Sequence, residues 1–239
     1  MATPQPAAGG RLAAWAVHLF TATGVVIALL AIAAVERGDL RGALLWLLAA
    51  LVIDGVDGAL ARGARVAERL PQIDGAALDL IIDYLNYVLV PALLILKGGF
   101  LPEALAVPLC AAILVSALYV FVRRDMKTDD GYFRGFPALW NVVAFYFVLV
   151  PIGEWLAAGI VAGLVVLTFA PVHVVHPFRA EDSKLLAPAA ATVCALSTLI
   201  MAANVVGDAG RGIALGLSLG SLLVLTAIGL LRTARGSEH

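Results

Sequence analysis

Charge is what this sequence has least of. Lys, Arg, Asp and Glu make up 14% of its 239 residues, 62% are hydrophobic, and the mean hydropathy is +0.98. Soluble domains carry about 25% charged residues, so this composition excludes a water-soluble globular class. The net charge of −1 leaves no excess of either sign, which excludes electrostatic capture of a polyanion. Only two cysteines occur, Cys110 and Cys194, and each lies in the middle of an apolar run, so no disulfide is expected. No low-complexity linker and no internal repeat divides the chain, and residues 1–239 read as one membrane-embedded domain. The first apolar run is longer than a signal-peptide core and lacks a basic start, so it is expected to be retained.

What remains is apolar sequence in long pieces. A helix needs about 20 apolar residues to cross a bilayer. Eight stretches approach that length: 14–35, 42–60, 75–96, 104–122, 137–154, 157–175, 185–206 and 211–231. The expected fold is an all-α, polytopic bundle of about eight transmembrane helices. With the N-terminus inside, the inner loops hold Arg11, Arg62, Arg65, Arg69, Arg123, Arg124, Lys127, Arg134, Arg179, Lys184, Arg232 and Arg235. The outer loops hold only Arg37, Arg41, Lys97 and Arg211. This bias predicts that both termini face the cytoplasm. Gly212, Gly216 and Gly220, and the shorter pair Gly159 and Gly163, form ridges that let helices pack closely.

Against this background the acids of one stretch stand out. Residues 54–83 read DGVDGALARGARVAERLPQIDGAALDLIID, with Asp54, Asp57, Asp74, Asp79 and Asp83 in or beside apolar runs. An ionised carboxylate at the centre of a membrane helix costs about 2.5 kcal/mol even on gentle scales. Asp54 and Asp57 are three apart and share a face at the inner end of the second run; Asp79 and Asp83 are four apart and share a face at the start of the third. The two runs are consecutive and antiparallel, so the four carboxylates can converge. Such a cluster must take up protons or bind divalent cations, and hard oxygen ligands favour Mg²⁺, Mn²⁺ or Ca²⁺. Gly58, Gly75, Ala59, Ala61, Ala76 and Ala77 leave room for a bulky ligand, and Arg62 supplies a fork suited to phosphate. Acids, arginine and open backbone together point to a diphosphate and to displacement at phosphorus between two metal ions. Asp74, Arg65, Glu68 and Arg69 read as interfacial charges or caps.

These residues resemble the CDP-alcohol phosphotransferase family, whose motif runs D-x-x-D-G-x-x-A-R and then G-x-x-x-D-x-x-x-D. Asp54, Asp57, Gly58, Ala61 and Arg62 match the first half; Gly75, Asp79 and Asp83 match the second. The resemblance implies a helical bundle in a bacterial cytoplasmic membrane, with the active site on the cytoplasmic side and a homodimer expected. It implies an enzyme that joins a CDP-activated lipid to an acceptor hydroxyl and releases CMP. Two divalent cations, Mn²⁺ or Mg²⁺, would be held by Asp54, Asp57, Asp79 and Asp83, with Asp83 also the general base. Gly58, Ala61, Arg62 and Gly75 would contact the nucleotide, joined by Thr21 from the first run. The twelve residues between Arg62 and Gly75 exceed the family's usual spacer. That spacer and the IDGAALDLIIDYLNY continuation resemble the branch that condenses CDP-diacylglycerol with choline.

Choline presents a quaternary ammonium, which aromatic faces bind for roughly 0.5–2 kcal/mol each. Tyr84 and Tyr87 follow Asp83 directly, and Trp140 with Asn141 lies at the mouth of the fifth run. These four are the expected choline contacts. A serine acceptor would instead need a carboxylate partner, and Arg123, Arg124 or Arg134 are available for it. Two other classes remain open. An intramembrane prenyltransferase would need a second aspartate-rich cluster, but the later acids fall nearly all in loops. A cation transporter would place its acids near the midplane, whereas these sit at one interface.

Overall fold

Backbone in hydrocarbon must satisfy its own hydrogen bonds, so long apolar runs fold as helices. The computed structural model describes residues 8–205 and 207–236. Residues 1–7, Val206 (the last residue of the seventh expected span) and residues 237–239 lie outside the described residues. The helices are α1 (Ala8–Glu36), α2 (Leu40–Gly63), α3 (Val66–Arg69), α4 (Gly75–Asp83), α5 (Val90–Lys97), α6 (Glu103–Val122), α7 (Trp140–Leu149), α8 (Glu154–Leu167), α9 (Leu186–Ala203) and α10 (Asp208–Arg235). A π-helical turn, Tyr84–Leu89, joins α4 to α5, so that Gly75–Lys97 runs on as one rod. Two short strands, β1 (Tyr132–Arg134) and β2 (His173–Val175), pair antiparallel with Phe133 opposite Val174.

The polytopic helical class stands, with one difference in detail. Among the described residues six helices are long and apolar enough to cross a membrane: Gly10–Glu36, Leu40–Gly63, Gly75–Lys97, Glu103–Val122, Leu186–Ala203 and Asp208–Arg235. The fifth and sixth expected spans appear as shorter apolar helices, α7 with 10 residues and α8 with 14. Prolines set the limits. Pro137 precedes α7, Pro151 separates α7 from α8, and Pro171 follows α8; each lacks the N–H that would carry a helix onward. The β1–β2 pairing shows that the chain enters α7 and leaves α8 at the same end of the bundle.

The core is apolar and lies where α2, α5, α6 and α7 meet: Leu44, Leu47, Leu94, Ile95, Ile113 and Trp140 are all fully enclosed. Outward faces carry exposed residues such as Val115, Val122 and Leu223, as lipid contact requires. Cys110 and Cys194 are both free. Contacts also order the two ends. Arg69 donates to the Gly10 carbonyl at 3.2 Å, Arg232 pairs with Asp130 at 2.6 Å, and the His173 N–H donates to Thr233 Oγ1 at 2.8 Å. The ion pair Lys97–Glu36, 3.3 Å, lies at the other end, where α1 and α5 finish.

α1 reaches the site through one glycine. A Cβ on Gly24 would stand 2.5 Å from Ile82 Cγ2 of α4, whereas Gly212 has nothing within 4 Å. Gly24→Ala should therefore destabilise the bundle by about 1–3 kcal/mol, the usual cost of overpacking, with Gly212→Ala as the control. Equal melting temperatures for the two variants in detergent would show that α1 does not depend on this approach.

Candidate active site

Two helix ends build the site. Asp54 and Asp57 lie on the last turns of α2, and Asp79 and Asp83 lie on α4, which begins directly after the interfacial connection. Asp74 is the N-cap of α4, its carboxylate accepting from the Ala77 N–H at 3.0 Å, so the fifth aspartate starts the helix that carries the others. Gly24, Asp54, Asp57, Asp79, Ile82, Asp83, Asn86 and Tyr87 line one small cavity. All four aspartates of the motif therefore converge, as their helical spacing predicts.

The donor set fits a cation. Asp54, Asp57 and Asp79 offer oxygen ligands that all lie within 4.8 Å of one another. The cavity beside them is about 10 Å³, space for one ion- or water-sized sphere. Asp83 lines the same cavity but stands outside that close trio. Three hard carboxylates at one point are chemically suited to Mg²⁺ or Mn²⁺.

Neighbouring side chains hold the acids in place. The Tyr87 hydroxyl donates to Asp54 Oδ2 at 2.5 Å. Thr21, buried on α1, lies beside Asp57. Asn86, 97% enclosed, donates from Nδ2 to the carbonyls of Gly24 (3.1 Å) and Ile82 (3.0 Å), tying α1 to α4. The sequence reading gave Asn86 no role, because its partner on α1 is 62 residues away. Lys127 was likewise counted only as a loop charge, yet it faces Asp54, Asp79 and Asp83.

The expected nucleotide and acceptor residues fall into two groups. Gly58, Ala61 and Arg62 continue α2 past the acids, and Arg62 Nη1 would lie 3.3 Å from a Cβ on Gly58. Gly75 is exposed at the start of α4, with His18 Cε1 of α1 3.3 Å from where its Cβ would be. Of the four expected choline contacts, only Tyr87 lines the acid cavity. The Tyr84 hydroxyl donates to the Leu114 carbonyl at 3.0 Å and its ring meets Phe121 edge-on, so this side chain turns towards α6. Trp140 is fully buried against Phe136, and Asn141 Oδ1 accepts from the adjacent Val142 N–H at 2.9 Å. Both are engaged in packing at the start of α7. Arg123 and Arg134 converge on Asp125, at 2.7 and 3.7 Å. The Arg123 guanidinium holds the Asp125 carboxyl down at about 2.

Similarity to known proteins adds a separate line. The pattern of the CDP-alcohol phosphatidyltransferase family matches residues 12–171. The chain is 41% identical to the phosphatidylcholine synthase of Pseudomonas aeruginosa over 222 residues, 93% of this chain and 92% of the relative. It is 41% identical to the phosphatidylcholine synthase of Bradyrhizobium diazoefficiens over 235 residues, 97% of this chain and 86% of the relative. A Legionella pneumophila protein of the same name is 43% identical over 171 residues, 71% of this chain and 67% of the relative.

Cation binding at the trio has a direct consequence for stability. A ligand at a hundred times its Kd stabilises by about 2.7 kcal/mol. Mn²⁺ or Mg²⁺ added to chelator-treated protein should raise the melting temperature, and Asp57→Asn should remove most of that rise. An unchanged melting temperature in the unsubstituted protein across millimolar Mn²⁺ and Mg²⁺ would refute the metal site.

Proposed function

Because the chain belongs to the CDP-alcohol phosphatidyltransferase family, we propose that it is a phosphatidylcholine synthase. It transfers the phosphatidyl group of CDP-diacylglycerol to the hydroxyl of choline and releases CMP. The observation that carries the chemistry is the convergence of Asp54, Asp57, Asp79 and Asp83 on one cavity at the end of α2 and α4. The choice of acceptor rests on relatives that bear this name at 41% identity over most of their length.

The residues divide the work as follows. Asp54, Asp57 and Asp79 would hold a divalent cation, Mn²⁺ or Mg²⁺, and Asp83 would add a ligand for a second. Bound there, the metal neutralises the diphosphate and the negative charge that develops on CMP. Tyr87 and Thr21 fix the carboxylate orientations, so little reorganisation is needed when charge moves. Gly58, Ala61, Arg62 and Gly75 offer the nucleotide an open helix surface, with Arg62 as the phosphate fork. Asp83 takes the proton of the choline hydroxyl as its oxygen attacks the phosphorus that carries diacylglycerol. The bond from that phosphorus to the bridging oxygen breaks, and CMP leaves with the electron pair. The ring of Tyr87 is the aromatic surface for the trimethylammonium group.

Sidedness follows from the loops. The connection holding Arg62, Arg65 and Arg69, the α6–α7 loop with Lys127, and the last turn of α10 with Arg232 gather at the active-site end. The positive-inside rule supports a cytoplasmic active site and cytoplasmic termini, in a bacterial cytoplasmic membrane.

Purified protein in detergent with CDP-diacylglycerol and Mn²⁺ should release CMP with choline and much less with serine, inositol, glycerol 3-phosphate or ethanolamine. Preference for serine would make the chain a phosphatidylserine synthase, and no CMP release with any acceptor would remove the transferase reading. Asp83→Asn should lower kcat by about 10²–10⁴-fold, the usual worth of a general base. Arg62→Lys should chiefly raise the KM for CDP-diacylglycerol. The Tyr87 hydroxyl gives Asp54 a charged hydrogen bond of about 1.5–3 kcal/mol, so Tyr87→Phe should lose at least ~10-fold in kcat/KM. Tyr87→Phe with unchanged kinetics would leave only its ring at work.

A further inference from the structure

Between α6 and α9 the chain departs from simple helix crossing, and the departure brings Lys127 within electrostatic reach of the acids and Arg179 beside it. The loop after α6 folds back on itself through a bridge between Lys127 and Phe133, which sets Lys127 Nζ 5.4 Å from the centre of the Phe133 ring. His176, just past β2, stacks on the same ring at 5.3 Å with 13° between planes. Gly131, at φ +86°, packs its Cα against the Arg179 backbone, a position where any side chain would collide. That approach holds Arg179 beside the Lys127 loop. The assembly is anchored to α10 by Asp130–Arg232 and by the His173 N–H to Thr233.

The pairing of charges in this region is uneven. Arg123 and Arg134 are paired with Asp125, and Arg232 with Asp130. Among the described residues Lys127 and Arg179 have no ion pair, and they stand near each other. Both remain solvent-exposed. His176 is pushed down to about 4 by burial and by these two cations, and so contributes no third charge near neutral pH. Lys127 lies within electrostatic reach of Asp54, Asp79 and Asp83 and forms an ion pair with none of them.

Two unpaired cations side by side repel, and a metal ion on the aspartates would repel Lys127 as well. An anion between them relieves both repulsions at once. We propose that Lys127, backed by Arg179, is a phosphate clamp that holds the diphosphate of the CDP-activated lipid against the aspartate cavity. The clamp rests on the transferase reading for its ligand. A lysine suits the task because its compact charge can follow a phosphate whose geometry changes during transfer, whereas a planar fork fixes it. The Lys127 loop is then part of the donor site.

The test uses the full chain in detergent with Mn²⁺, comparing Lys127→Met, Lys127→Arg and Arg179→Gln. Loss of a charged hydrogen bond predicts that Lys127→Met raises the KM for CDP-diacylglycerol about tenfold or more, with the choline KM within about twofold of the unsubstituted enzyme. Lys127→Arg should recover most of the loss, and Arg179→Gln should show a smaller effect of the same kind. Direct titration with CDP and cytidine gives a readout free of turnover. CDP affinity should fall in Lys127→Met while cytidine affinity stays the same. Unchanged CDP affinity, or an equal loss for CDP and cytidine, would overturn the clamp. If Lys127→Met does not fold, Arg179→Gln decides alone, and unchanged CDP affinity there would also overturn it. Should the enzyme ignore choline yet still lose CDP affinity with Lys127, the acceptor assignment fails and the clamp stands.

Discussion

Four carboxylates confined to one cleft at the end of two helices repel one another, and the surrounding structure is arranged to contain that repulsion. At 4 Å two like charges cost about 4 kcal/mol at an effective dielectric of 20, so the cluster is a standing demand for positive charge. Nearby groups meet part of it. Tyr87 gives Asp54 a proton donor, the Thr21 hydroxyl lies beside Asp57, and Lys127 adds charge within electrostatic reach. None of them forms an ion pair with a carboxylate. The cleft therefore keeps its affinity for a cation, which a fully salt-bridged cluster would have given up. Gly24 lets α1 approach closely enough for Thr21 and Asn86 to play their parts.

The π-helical turn that follows Asp83 belongs to the same arrangement. Pro91 has no N–H to give the Tyr87 carbonyl, so regular α-helical bonding must lapse there. The chain answers with wider turns over Tyr84–Leu89, a feature that recurs at functional sites. Widening changes which side chains share a face. Tyr87 comes round to Asp54 of α2, while Tyr84 turns away to α6 and Asn86 points inward to α1. A regular helix would put Tyr84 about 100° from Asp83 and Tyr87 about 40° from it, which is why spacing alone found Tyr87 but could not identify its hydroxyl as the working part.

The aspartate site was legible because its information is local. Spacings of three and four on helices fix a common face, and two consecutive antiparallel helices must bring their faces together. Motif glycines and Arg62 lie within the same thirty residues. What escaped the sequence depends on distant partners: Asn86 reaches 62 residues back to Gly24, and Lys127 comes near the acids on a loop that folds back over Phe133. Hydropathy also counted α7 and α8 as full spans, since it measures apolar content and not length between breakers. Pro137, Pro151 and Pro171 carried that information, and the strand pair behind Pro171 requires partners about 40 residues apart. Trp140 and Asn141 read as ligand groups because an aromatic beside an amide at a helix mouth has the same appearance whether it meets solvent or core. Complete burial of Trp140 separates the two.

Irregular backbone is costly near a bilayer and persists where it lines a cavity or is buried in protein. The β1–β2 strand pair and its flanking loops are the longest departure from helix in the described residues, and several side chains outside the acid site exist to hold them. Tyr132 is fully enclosed and donates to Asp182 at 2.5 Å, Arg232 crosses from α10 to Asp130, and Thr233 serves His173. α7 and α8 are too short to be ordinary spans, and they return the chain to the end from which it came. That pair and its two strands thus hold the Lys127 loop at the active-site end of the bundle. A purely helical bundle could hold the metal-binding face of α2 and α4, but it would leave that face open to the headgroup layer. Lys127, on the loop that leads into β1, brings charge of the opposite sign within electrostatic reach of those acids, and acids with a cation nearby suit a ligand that is itself a metal-bound polyanion.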